Sequence, residues 1–165
     1  MKQTLGMLAR YNAWANRLMF DAVAALPEGE ATRPRASLFR NMVHTLNHNY
    51  VIGLIWQAHL CGRSHGFSER NTPEHPPLAE LRRSQELLDA WYISQSDTLS
   101  EAALAERLAF TLIGGNRGEM SRAEMLLHVV NHCTYHRGFV ADLFFQVPAR
   151  PPLTDLTVFL RERRA

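Results

Sequence analysis

The sequence predicts an all-α protein: a four-helix bundle with a long crossover loop, a short hairpin before the last long helix and a short C-terminal helix. Three observations carry this. Four long stretches repeat apolar residues at three- and four-residue steps, the period of one helix face. Each is bounded by proline, glycine or a capping residue. One connection, residues 62–77, holds two glycines and three prolines without any apolar period, and that length is unusual for a structureless link inside a compact domain. With 165 residues the chain fits a single domain, 1–165, large enough to bury roughly 70% of the surface its unfolded form exposes.

The first helix is expected over residues 3–26. Leu5, Leu8, Tyr11, Ala15, Leu18 and Ala22 fall on one face, and Pro27 and Gly29 stop it. A loop fills 28–36. The second helix is expected to start at Ser37, a good N-cap, and to end at Gly62, the residue type favoured just past a helix. The 62–77 stretch reads as a functional loop or a crossover. Pro77 suits the first turn of a third helix, where its missing N–H costs nothing; that helix carries Leu78, Leu81, Leu88, Trp91 and Tyr92 and fades near Ser100. Phe110, Leu112 and Ile113 run into Gly114-Gly115-Asn116-Arg117-Gly118, a glycine turn between two short strands. Ser121 and Glu124 form a capping box that opens the fourth helix, which runs to about Gln146. Asp155–Arg164 reads as a short terminal helix.

Bulk properties exclude several functions. Eighteen basic against 16 acidic residues leave a net charge of +2. No basic stripe with interleaved aromatics appears, which argues against a nucleic-acid partner. Arg161, Arg163 and Arg164 read as the solvated end of a helix. The longest apolar runs are only a few residues, too short to span a membrane. The two cysteines, Cys61 and Cys133, form no Cys-x-x-Cys pair, so a thiolate zinc site is not indicated. No charged, apolar leader opens the chain, and the expected setting is the cytoplasm, with both thiols reduced.

The unusual residue is histidine. Eight are present, and three pairs stand four apart: His44/His48, His128/His132 and His132/His136. Random placement would give about 0.3 such pairs. Residues four apart are neighbours on a helix surface, so two helices each carry a histidine row. On the fourth helix, Met125, Val129, His132, His136, Val140 and Leu143 form the stripe that must face the core, and two of its six positions are imidazoles. On the second, His48 shares a stripe with Ile52 and Ile55, with His44 one turn earlier. A buried polar ring without a partner costs about 1–3 kcal/mol. A shared divalent ion satisfies several rings at once, and imidazole binds zinc, nickel, copper or iron. Spacing selects His132 and His136 as ligands and leaves the third open between His44 and His48. Three protein ligands leave a coordination position for water or substrate, the pattern of catalytic sites. His59, His65 and His75 read as surface or loop residues. Cys133 reads as a buried, inert thiol, Tyr135 as packing, and Arg137 as either solvent-facing or a holder of an anionic group. Asn47 and Asn131, each preceding a candidate ligand, are candidates to support it or to cap a turn.

The segment Asn131-His132-Cys133-Thr134-Tyr135-His136-Arg137-Gly138 (NHxxxHRG) resembles the last long helix of the DinB-like family. So does Thr45-Leu46-Asn47-His48, with Trp56 eight residues on and Leu60-Cys61-Gly62 closing the helix, and so does the opening Tyr11-Asn12-Ala13-Trp14-Ala15-Asn16. The resemblance covers nearly the whole chain. It implies a four-helix bundle, often dimeric, with one divalent ion held by three histidines, here His48, His132 and His136; zinc, nickel and iron are the candidates. The wider DinB/YfiT superfamily includes thiol S-transferases that use low-molecular-weight thiols such as bacillithiol and mycothiol. The expected function is therefore metal-dependent transferase or hydrolase chemistry on a small-molecule substrate, with a low-molecular-weight thiol as co-substrate and a homodimer as the assembly. The alternative is a non-catalytic metal-binding bundle with a sensing or structural role. The chain departs from the family pattern at Gly53, where an acidic residue is frequent, and at Phe139, where glutamine is.

Overall fold

In the computed structural model, which describes residues 1–163, the long apolar-periodic segments form α1 (Lys2–Ala24), α2 (Met42–Leu60), α3 (Leu78–Thr98) and α5 (Arg122–Phe144). Short elements complete the chain: α4 (Glu101–Ala105), the strands β1 (Arg107–Thr111) and β2 (Arg117–Ser121), and α6 (Leu156–Glu162). Arg164 of the basic tail lies outside the described residues.

Two local expectations are corrected. The second helix starts at Met42, not near Ser37. Arg40 sits at φ 66°, a left-handed conformation that a helix interior does not hold. Asn41 then takes the cap, its side chain accepting the His44 N–H at 2.7 Å. The second correction is α4, which the sequence did not suggest. Five residues are too few to show a period. Ser100 caps it by accepting the Ala103 N–H, and Leu104 is its one buried residue.

The capping box at the start of α5 is present in full: the Ser121 hydroxyl accepts the Glu124 N–H, and the Glu124 carboxylate accepts the Ser121 N–H. The hairpin turns at Gly114 and Gly115, both at positive φ (96° and 89°), which glycine adopts without penalty. Its register places Phe110 opposite Gly118. A Cβ on Gly118 would stand 2.5 Å from Cζ of Phe110, so the missing side chain is what lets that ring lie flat across the hairpin.

Around the bundle the long helices follow the order α1, α3, α2, α5, with α1 and α2 at opposite corners. One apolar cluster joins Leu5, Val51, Ile55, Trp56, Leu88, Leu126 and Val129. A second joins Met19, Phe20, Met42, Leu46, Leu81, Val140 and Phe144. Between them every long helix contributes buried polar residues: Asn12 and Asn16 from α1, His48 from α2, Gln85 and Asp89 from α3, His136 and Arg137 from α5. Burying polar groups in one layer is tolerable only when they satisfy one another. At the end of the chain, α6 packs Phe159 against Tyr11 and Trp14 of α1. No described helix is long and apolar enough to cross a membrane.

Candidate metal centre

His48 lies mid-way along α2, and His132 and His136 lie one turn apart on the facing α5. The bundle aims all three inward. The Nε2 atom of His48 is 3.2 Å from Nε2 of His132 and 3.2 Å from Nε2 of His136. Each ring offers a ligand atom, and these atoms all lie within 4.8 Å of one another.

The hydrogen bonding of His48 decides what this cluster needs. Its Nδ1 lies 2.7 Å from the carbonyl oxygen of Arg70. A carbonyl only accepts, so Nδ1 carries the proton and Nε2 presents a lone pair. Two further Nε2 atoms crowd that lone pair. It can accept one N–H well, not two, so the three rings cannot satisfy each other with protons alone. A cation resolves the conflict. At a metal–nitrogen distance of roughly 2.0–2.1 Å, tetrahedral donors stand about 3.3 Å apart, close to the separation found. The carbonyl behind His48 is also the usual support for a ligating imidazole, fixing its tautomer and ring orientation. The donor set therefore fits a divalent metal.

Electrostatics keep the donors neutral. Burial, then the nearby His136, His48 and His128, push His132 down to about 3. Burial, then His48, pushes His136 down to about 4. Burial also lowers His48, opposed by its bond to the Arg70 carbonyl and reinforced by the charges of Arg70 and His44. Lone pairs are thus available well below neutral pH. The same shifts set an acid limit on stability. A histidine depressed in the fold binds fewer protons folded than unfolded below its unperturbed value near 6.5, so stability is lost as pH falls from there. Asp89, pushed up to about 6 by burial, acts in the opposite direction over roughly pH 6 to 4 but is one group against several. The melting temperature of the metal-free protein is expected to drop by on the order of 5 °C between pH 7 and pH 5, measured by circular dichroism; a rise would contradict these assignments.

The other histidines stand apart from the cluster. His44 turns to the 61–77 loop, its Nε2 2.9 Å from the Thr72 carbonyl oxygen. His128 packs on Trp56 at 4.6 Å between ring centroids. His59, read from the sequence as a surface residue, is buried against Trp56, Phe110 and His65; the last turn of α2 is covered by the hairpin, which a periodicity argument does not see. His65 and His75 are half-buried in the loop. Arg137 neither faces solvent nor holds an external anion. It is 2% exposed and donates to the side-chain oxygens of Asn12 and Asn16 at 2.6 and 2.8 Å. Cys133 is buried, and burial raises its thiol to about 11, so it stays protonated and inert. Tyr135 is largely exposed, edge-on to His136 at 5.0 Å. Asn131 is exposed. Asn47 instead ties the loop down, its amide 2.6 Å from both Asn71 Oδ1 and Thr72 Oγ1. It thereby holds the segment whose Arg70 carbonyl orients His48.

Two residues at the site escaped the sequence reading. Phe39 stacks on His48 at 4.3 Å, and Arg70 supplies the carbonyl. Both lie in loops, where no periodicity marks them. Above the three imidazoles opens a cavity of about 680 Å³, within the usual range for small-molecule sites. Its walls are Ile52, Ile55 and Trp56 of α2, and Phe110, Ile113 and Met120 of the hairpin.

The comparisons with known proteins agree with this architecture. The profile of the DinB family matches residues 1–164. The chain belongs to the DinB family. A curated relative, "Protein DinB" of Bacillus subtilis (strain 168), is 24% identical over 162 residues, covering 93% of this chain and 91% of the relative. Family membership and the converging imidazoles together fit a metal-binding DinB protein.

Proposed function

We propose that this DinB-family chain binds one divalent ion, zinc, nickel or iron, through Nε2 of His48, His132 and His136. The proposed role is metal-dependent transferase or hydrolase chemistry on a small molecule, with a low-molecular-weight thiol as co-substrate. The observation that carries the reading is the convergence of three neutral Nε2 donors on the floor of an apolar cavity large enough for a substrate. A divalent ion there would supply Lewis acidity, lowering the pKa of a bound thiol or water toward neutrality. The chain's own residues do the rest. The Arg70 carbonyl and the Phe39 ring hold His48 in one orientation. The apolar walls exclude water from the reacting face, which strengthens electrostatic interactions within it. With three protein ligands, a position remains for the thiol or substrate.

The test is elemental analysis followed by a thiol titration of the cobalt-substituted protein. The expected result is one ion per chain and a change in the cobalt absorption bands as a small thiol such as cysteine or 2-mercaptoethanol is added. One ion per chain with bands indifferent to every thiol and to substrate-like ligands would favour a structural or sensing role. A stoichiometry near zero, unrestored by added zinc or nickel, would remove the metal centre altogether.

A further inference from the structure

Among the described residues no aspartate or glutamate lines the cavity over the three imidazoles. The cationic side chain on its wall is Arg70. Elsewhere in the molecule Arg10, Arg82, Arg107 and Arg122 each hold a carboxylate. Among the described residues no carboxylate is paired with Arg70, whose side chain is exposed. Apart from the histidines and Tyr135 the remaining walls are apolar, and the mouth is rimmed by apolar side chains left in solvent: Leu38 is 71% exposed and Leu112 39%. Exposed apolar residues gathered at a pocket mouth mark a binding surface rather than ordinary scatter.

We propose that this cavity takes a small molecule with an apolar, ring-sized body and one anionic group, the body lying against Trp56, Phe110 and Ile113 and the anion set at Arg70. This deepens the proposed function and rests on the cavity being the substrate site of the metal centre. An unpaired guanidinium beside a low-dielectric wall favours an anion by charge-assisted hydrogen bonding. The aromatic and branched side chains favour a flat or compact apolar body. A strongly hydrophilic molecule would leave its polar groups unpaired against those walls.

The experiment compares 1-naphthoate with its neutral counterpart 1-naphthylmethanol by isothermal titration calorimetry, on the full chain, both zinc-loaded and zinc-free. Saturable one-to-one binding of 1-naphthoate is expected in both forms, with 1-naphthylmethanol roughly tenfold weaker. Arg70→Gln keeps the backbone carbonyl that orients His48. It should bring 1-naphthoate down to the level of the alcohol and leave the alcohol unchanged. Ile113→Ser should weaken both ligands. The absence of saturable 1-naphthoate binding in either form overturns the proposal, as does equal binding of the two ligands with no effect of Arg70→Gln. Binding of 1-naphthoate that needs zinc and ignores Arg70→Gln assigns the anion to the ion and overturns the role of Arg70. Zinc content measured on the same samples separates the two readings. Near-zero zinc with 1-naphthoate binding intact removes the metal centre and leaves the ligand class standing; one zinc per chain without 1-naphthoate binding does the reverse.

Discussion

Replacing His132 or His136 with alanine is expected to lower zinc affinity roughly 100- to 1,000-fold. The apparent binding energy of zinc in small protein sites is about 10–16 kcal/mol, so each ligand among a few accounts for several kcal/mol. At about 1.4 kcal/mol per factor of ten, that is two to three decades. His44→Ala should leave affinity within about threefold, because its ring faces the Thr72 carbonyl and not the cluster. The size of the stability effect should depend on the metal. In the zinc-loaded protein, His132→Ala removes the stabilisation that ligand binding confers on the folded state. In the metal-free protein the loss should be small, since Nδ1 of His132 is buried with no acceptor among the described residues and its Nε2 competes for a single lone pair. Competition with a chromophoric chelator measures the affinity, and thermal melts with and without zinc measure the difference between the two losses. Wild-type zinc affinity in His132→Ala together with lost affinity in His44→Ala would reverse the ligand assignment.

What the sequence disclosed and withheld follows one physical division. Helix faces are periodic, so the stripe Met125–Leu143 and its two interruptions at His132 and His136 could be read directly; all four apolar members of that stripe are buried. The capping box at Ser121 could be read because its two bonds are local. The third donor could not be chosen by spacing, because His44 and His48 lie on nearly the same face of α2. Their separation depends on a loop that offers one carbonyl to each, Thr72 to His44 and Arg70 to His48. Long-range partners of that kind leave no local pattern. The start of α2 was misplaced for a related reason: Ser37 is a competent cap by type, but the left-handed Arg40 between it and the helix rules it out. The polar layer left a faint signal. Asn12 and Asn16 stand four apart on a helix otherwise apolar on that side, and Gln85 and Asp89 do the same on α3. Reading them as one network required knowing that α1 neighbours both α3 and α5.

That network carries the largest expected effect on folding. Arg137→Met should destabilise the protein by about 3–5 kcal/mol, the cost of removing one partner from a buried ionic set. The guanidinium donates to Asn12 and Asn16, whose amides in turn reach the carboxylate of Asp89; Asn16 does so at 3.1 and 3.0 Å. Gln85 adds a donor at 3.0 Å. The asparagines thus relay between two buried charges that do not touch. With Arg137 gone, the Asp89 carboxylate stays buried without a compensating cation, and two asparagine oxygens lose their donors. The pH dependence identifies the cause. Burial already pushes Asp89 up to about 6, and the Arg137 charge opposes that push; removing it raises the carboxyl further. A carboxyl whose folded pKa lies above its unfolded value binds more protons folded, so stability falls as pH rises through that range. The deficit of Arg137→Met should therefore be larger at pH 8 than at pH 5 in urea denaturation. Pairing it with Asp89→Asn should recover part of the loss, giving a double variant more stable than the two single effects added together. A deficit independent of pH and unrelieved by Asp89→Asn would mean that lost packing of the long side chain, rather than an uncompensated charge, accounts for it. Zinc affinity of the folded variant should fall far less than in His136→Ala, because Arg137 donates to Asn12, Asn16 and Thr134 and to none of the three imidazoles.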